Sequence, residues 1–250
     1  MDPDTLIGGN QQKFPQTNHS AIVASRSSDD EVRQRAFESI LSSYWKPAYK
    51  YVRIKWNMDN EDAKDLTQGF FADAFEKNYV ARYDAGKASF QTYLRTCIDG
   101  FVSNWRKSQG RLKRGGGFEH LHLDFFDAEN EIAAHAAPDE LTPEQYFRRE
   151  CIRNLFAQAV LTLRERYQKT GREIQFRLFE LYDLEEDTAA QTSYASLATQ
   201  FGVSPANVTN YLAAARRDFK RVVLDKLREL TATEDEFRRE ARELLGVELR

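Results

Sequence analysis

The side chains best placed to do chemistry in this sequence are amides, hydroxyls, aromatic rings and cations, not nucleophiles or metal ligands. Asn207, Thr209, Asn210 and Tyr211 follow one another closely, and Arg216, Arg217, Lys220 and Arg221 come just behind them. Amides and hydroxyls both donate and accept, which suits the edges of bases. Cations a few residues on suit phosphates. A second group mixes Tyr83, Phe90, Tyr93 and Trp105 with Arg95, Asn104, Arg106 and Lys107. An unpaired base can stack on an aromatic ring, a contact worth about 1–3 kcal/mol. The same rings at helical spacing serve equally well as core.

Other chemistries find little support. Cys97 and Cys151 lie far apart with no CxxC spacing, so they are expected to be reduced thiols in the interior. His120 and His122 alternate in an acidic stretch and His135 stands well downstream, which is not a ligand pattern. No metal or other cofactor is expected. Gly115, Gly116 and Gly117 lack the GxxxxGK[ST] form and follow no strand, so they read as a joint, not a phosphate loop. With no nucleophile–base pairing either, the chain is not expected to be an enzyme.

The elements that must carry these residues are helical. From Asp29, residues Val32, Ala36, Phe37, Ile40, Leu41 and Tyr44 recur at three- and four-residue spacing, and Pro47 is expected to stop or kink that helix. A second helix is expected over residues 60–79, with Ala63, Leu66, Phe70, Phe71, Ala74 and Phe75 inward. After a turn at residues 83–87, a third runs from about Ser89 to Lys107. Thr142, Pro143 and Gln145 combine a capping threonine, a first-position proline and a third-position glutamine, a strong helix start. Further helices are expected over about 142–168 and 172–184. No alternating strand pattern and no fixed-period repeat occur. The fold class is therefore all-α: two helical domains joined by a flexible acidic linker.

The division into domains rests on composition. Residues 1–24 are polar and expected to be loose, 25–114 form a first domain, 115–141 a linker, 142–230 a second domain and 231–250 a helical extension. The net charge is -3, which by itself argues weakly against a nucleic-acid partner. Its distribution argues the other way. Residues 95–114 hold six basic side chains against one acid, and residues 216–228 hold six against two. The stretch 119–144 holds eight acids and no Lys or Arg. No segment is apolar enough to span a bilayer, and the polar start lacks the order of a signal peptide, so the expected location is the cytoplasm.

The sharpest local pattern covers residues 193–212. Leu197 and Ala198 pack a first helix, Gly202 supplies a turn with positive φ, Ser204 caps a second helix, and Pro205 takes its first position. Val208 and Leu212 then anchor the second helix. This is the spacing of a DNA-binding helix-turn-helix, with Asn207, Thr209, Asn210 and Tyr211 near the start of the recognition helix.

Two further blocks carry a resemblance. Asp65-Leu66-Thr67-Gln68-Gly69-Phe70-Phe71 resembles the polymerase-docking helix of sigma-70 family factors, where Asp-Leu-x-Gln-x-x-Phe is usual. Residues 83–94 look like that family's turn into its promoter-opening helix, and residues 193–221 like its C-terminal helix-turn-helix. The blocks cover about 25–115 and 142–228. The plan is similar to the small two-domain extracytoplasmic-function type, and the long linker resembles planctomycete-type variants. Gly69 departs from the family, which usually has Glu there, and Tyr211 stands where Arg or Lys is frequent.

The resemblance implies a bacterial sigma factor with core RNA polymerase and promoter DNA as partners, and leaves open an anti-sigma or other regulatory protein. It implies polymerase contacts for Asp65, Leu66, Gln68 and Phe71. It implies promoter-melting contacts for Tyr83, Phe90, Tyr93, Arg95, Asn104, Trp105, Arg106 and Lys107. Duplex contacts fall to Asn207, Thr209, Asn210, Tyr211, Arg216, Arg217 and Lys220. The alternative is a stand-alone helix-turn-helix regulator whose N-terminal half dimerises or binds a ligand. The tail carries an apolar stripe, Phe237, Ala241, Leu244 and Leu245, which fits packing on the C-terminal domain or a regulatory contact.

Overall fold

A computed structural model describes residues 20–107, 123, 125–134, 141–185 and 193–246, and among these there are helices and no strand. Residues 1–19, the glycines 115–117, Arg111, Lys113, Arg114 and the three histidines 120, 122 and 135 lie outside them. No described helix is long and apolar enough to cross a membrane.

The first unit begins earlier than composition implies. α1 (Ala21–Ala24) is capped by the Ser20 hydroxyl, which accepts from the Val23 amide, and buries Ile22 completely. An apolar pair was enough to order residues assigned to a loose end. α2 (Asp30–Lys55) follows, with the Asp29 carboxylate accepting from the Glu31 and Val32 amides. α3 (Asn60–Glu76), a 3₁₀ turn (Tyr79–Arg82) and α4 (Phe90–Lys107) complete this layer.

Of the stop or kink expected at Pro47, the stop does not occur: α2 runs through it to Lys55. Proline removes the N–H that would bond the carbonyl four residues back, here that of Ser43. α6 (Pro143–Lys169) repairs the gap from outside. Asn154 Nδ2 donates to Ser43 O at 2.7 Å, and Gln158 Nε2 donates to Ser42 O at 2.7 Å. The helix continues because a neighbour satisfies what the proline leaves bare.

The acidic linker also differs from expectation. Residues 125–134 form a helix, α5 (Phe125–Ala134), that docks on α2. Phe125 meets Trp45 and Tyr49 edge-on, with ring centroids 5.4 and 4.9 Å apart. Its acids match a basic stripe on α2. Lys46 lies 2.6 Å from Asp127 and 2.9 Å from Glu131, while Arg53 lies 2.7 Å from Glu129. The absence of Lys and Arg from this stretch reads, in three dimensions, as complementarity to α2.

α6 starts where its capping residues require. Thr142 Oγ1 accepts from the Gln145 amide, and Gln145 returns the bond to the Thr142 amide. Its first half places Phe147 and Cys151 in the first core; its second half places Leu155, Ala159, Leu163 and Tyr167 in a second. Residue 142, where a second domain was expected to begin, caps this helix, but the change from the first core to the second comes inside it, between Cys151 and Leu155. The second core is closed by α7 (Glu173–Phe179, prolonged by a π turn, Glu180–Leu184), α8 (Tyr194–Phe201), α9 (Pro205–Glu229) and α10 (Glu234–Leu245).

Candidate nucleic-acid interface

The joint between α8 and α9 is built by residue types that leave little choice. Gly202 has φ 65°, the left-handed region that side chains resist. That turn lets the Val203 amide donate back to Ala198 O at 3.0 Å. Ser204 Oγ then accepts from the Asn207 amide at 3.1 Å, with Pro205 at the first helical position. Leu197, Val208 and Leu212 are fully buried and Ala198 nearly so, which fixes how the two helices cross.

α9 consequently presents one face to the second core and the opposite one to solvent. Val208, Leu212, Ala215, Val222 and Val223 are buried. Asn207, Asn210, Arg217 and Arg221 recur at three- and four-residue spacing on the far side and are exposed. Ala214, a methyl group, completes that stripe. From Asn207 to Arg217 the stripe runs about 15 Å along the axis at 1.5 Å per residue. Arg217 and Lys220 form no ion pair among the described residues, so their charges are available to a polyanion.

Not every expected contact residue shares that face. Thr209 is exposed, but its hydroxyl donates to Pro205 O at 3.2 Å. Tyr211 is half-buried and packs on the second core. Arg216 is engaged elsewhere: its guanidinium binds Asp183 through Nη2 at 2.8 Å and Nε at 3.0 Å, and stacks over Tyr182. Hydrogen bonding to Asp183 raises the Arg216 pKa further. Arg216 is thus a tie between α9 and the end of α7, a role its sequence position did not reveal.

In the first unit the expected residues separate into inside and outside. On α3, Asp65 and Gln68 are exposed, whereas Leu66 and Phe71 are core residues at 2% and 3% exposure. The first two are open to solvent, and the latter two, expected to meet a partner, pack in the first core. Tyr83 and Phe90 are likewise buried, with their rings 5.1 Å apart, which is a core position and not a stacking platform. Tyr93 is half-buried and its hydroxyl donates to Tyr79 O at 2.7 Å. Trp105 is half-buried against the first core. Arg95 is paired with Glu144 of α6 at 2.9 Å and Asp99 at 3.3 Å. Asn104, Arg106 and Lys107 remain exposed at the end of α4, with Arg106 lying 4.8 Å over the Trp56 ring.

Three acids that sequence reasoning passed over hold these residues in place. Asp183 fixes Arg216, Glu144 fixes Arg95, and Glu236 of α10 accepts from the Tyr83 hydroxyl at 2.5 Å and the Phe90 amide at 3.2 Å. Burial and the bond to Glu236 push the Tyr83 hydroxyl well above its ordinary pKa. The only signal for Glu236 in the sequence is its place beside Phe237, at the margin of the apolar stripe.

Among the described residues no group of His, Cys, Asp and Glu is arranged to hold a metal ion. Burial raises the pKa of the Cys97 thiol and raises that of Cys151 well above its ordinary value, the opposite of an activated nucleophile. The arrangement offers a solvent-facing row of amides followed by cations on α9, and an amide–cation cluster at the end of α4. No family model, curated protein or solved structure matches this chain.

Proposed function

We propose that the chain is a promoter-specificity subunit of bacterial RNA polymerase, of the sigma-70 type that its sequence resembles. The observation that carries the reading is the outer face of α9. Asn207 and Asn210 stand exposed at its start, with no side-chain partner among the described residues, and Arg217, Lys220 and Arg221 follow toward its other end. Amides at the start of a helix entering the major groove suit base edges, adenine above all, and the cations behind them suit phosphates. The turn at Gly202 and the cap at Ser204 give the helix-turn-helix its entry angle. The second support is α3, whose exposed Asp65 and Gln68 offer a polar docking face on a helix held rigidly by Leu66, Phe70 and Phe71. The third is the exposed Asn104, Arg106 and Lys107 cluster at the end of α4, which suits the backbone of a separated strand.

In this reading the protein performs no covalent chemistry. Binding free energy spent on two DNA contacts and one polymerase contact selects where transcription starts. The test is run-off transcription with purified core polymerase, with and without this chain, together with a pull-down of core. Specific initiation and capture of core are the expected results. Neither occurring, while the chain alone binds a palindromic duplex tightly, would establish the stand-alone regulator instead.

A further inference from the structure

The last described helix, α10, packs in an unusual way for a helix that only completes a core. Its four buried residues are Glu236, Phe237, Glu240 and Ala241, so half of its inner face is carboxylate. Phe237 and Ala241 belong to the second core, with Arg228 stacked 3.9 Å over the Phe237 ring. The carboxylates point across to the first unit. Glu236, at 1% exposure, accepts from Tyr83, from the Phe90 amide and from the Ala232 amide at 2.8 Å. Glu240, one turn on, has Arg148 as its nearest cation at 3.7 Å, and burial raises its pKa.

The seam beneath α10 is imperfectly satisfied. Ser89, Gln91, Thr231, Glu236 and Glu240 line it around a cavity of about 20 Å³, room for no more than a water molecule. Gln91 Oε1 is buried there with no hydrogen-bond partner among the described residues. A contact that buries two carboxylates and an orphaned amide oxygen gives up little when water re-enters. The helix hangs from α9 by residues 230–233, and its lifting breaks the pairs of Arg148 of α6 with Glu240 and Glu243 and uncovers Phe237.

Resting on the promoter reading above, we propose that α10 is a releasable strap. Seated by Glu236, it holds the segment 83–91 shut, and the start of α4 becomes available to a strand, beside the already exposed Asn104, Arg106 and Lys107 at its end, only when it lifts. In the closed form Glu236 occupies the Tyr83 hydroxyl and the Phe90 amide, the polar groups at the entry to α4. Regulation of the DNA contact is thereby built into the chain's own terminal helix.

The test compares the full-length protein with Glu236→Ala, and with Tyr83→Phe, which removes one donor to Glu236 while leaving its carboxylate in place. Amide hydrogen exchange over 83–94 and 234–245 is expected to rise at least tenfold in Glu236→Ala and by a smaller factor in Tyr83→Phe. Affinity for a fluorescein-labelled 20-nucleotide single strand is expected to rise at least threefold in step. Unchanged exchange in both variants would overturn the strap. Faster exchange with unchanged strand affinity, in a protein that still supports run-off transcription, would overturn the gating while leaving the sigma reading intact. No strand binding and no run-off in any form would remove the sigma reading, and the gate with it. Should Glu236→Ala fail to fold, Tyr83→Phe decides by the same measurements.

Discussion

The Nζ of Lys50 lies 2.8 Å from Glu150 Oε2, both side chains almost wholly buried, at the point where α6 leaves the first core for the second. Glu131 of α5 completes the group, 2.5 Å from the same ammonium. Three helices from three parts of the sequence thus share one cation. Removing a single partner from such a buried cluster costs up to about 3–5 kcal/mol, moderated here by Arg153 at 3.1 Å from Glu150 and Lys46 at 2.9 Å from Glu131. Lys50→Met is therefore expected to lower the urea midpoint sharply. Lys50→Met combined with Glu150→Leu and Glu131→Gln is expected to recover most of the loss. A triple variant no more stable than Lys50→Met alone would show that the ions contribute net stability and not only mutual compensation.

Acid should loosen the same junction. Burial opposes the charged form of Glu131, but hydrogen bonds from Lys50 and Lys46 outweigh it and bring the carboxyl from 4.5 down to about 2. The folded state then binds fewer protons than the unfolded one. Its stabilisation is complete above about pH 4.5 and is lost as pH falls through about 2, to the extent of about 3 kcal/mol. Glu129 is lowered in the same sense, chiefly by its hydrogen bond from Arg53. Chemical denaturation at pH 6, 4 and 2.5 should show a falling midpoint in the wild type. Glu131→Gln should start lower and fall less.

The proline inside α2 permits a sharper experiment. Asn154→Ala leaves the Ser43 carbonyl without its donor, which should cost about 1–3 kcal/mol. Pro47→Ala restores the helix's own N–H to that carbonyl. In the Pro47→Ala background, Asn154→Ala should cost less than half as much, a coupling that a double-mutant cycle reads directly. Equal costs in both backgrounds would show that Asn154 acts by packing alone.

The division of α3 into inner and outer faces can be tested against polymerase binding. Leu66→Ala and Phe71→Ala are expected to destabilise the fold by about 2–5 kcal/mol. Asp65→Ala and Gln68→Ala are expected to leave thermal stability unchanged and to weaken capture of core polymerase. In the second unit, Lys220→Ala should reduce the salt dependence of duplex binding by about one unit of slope, whereas Asn210→Ala should alter sequence preference. Arg216→Ala should instead lower the stability of the α7–α9 contact, by less than about 1 kcal/mol given its half-exposed pairing.

Much of this architecture is legible in the sequence where the signal is local. The capping set at Thr142, Pro143 and Gln145, the turn at Gly202 and the start at Ser204 each depend on a few adjacent residues, and each lies where those residues require. What escaped was long-range. Nothing near Pro47 announces that Asn154 will bond the Ser43 carbonyl, and nothing in residues 125–134 says that their acids face Lys46, Lys50 and Arg53. The candidate contacts divide on the same principle. The exposed positions of Asn207, Asn210 and Arg217 follow from helical period around Val208 and Leu212. The bond that holds the Tyr83 hydroxyl and the capture of Arg216 depend on Glu236 and Asp183, which are far away in the chain.

The bare carbonyl opposite Pro47 has a further consequence. In a regular helix each backbone acceptor already holds one intrahelical bond, so a neighbour grips mostly side chains and can slide by a turn when they change. Here the proline opens a socket in the backbone itself, and Asn154 plugs into it. The two helices share a fixed register set by a main-chain atom, which side-chain substitution elsewhere along the interface cannot move. Sequences could drift widely across the rest of that contact and still assemble at the same notch.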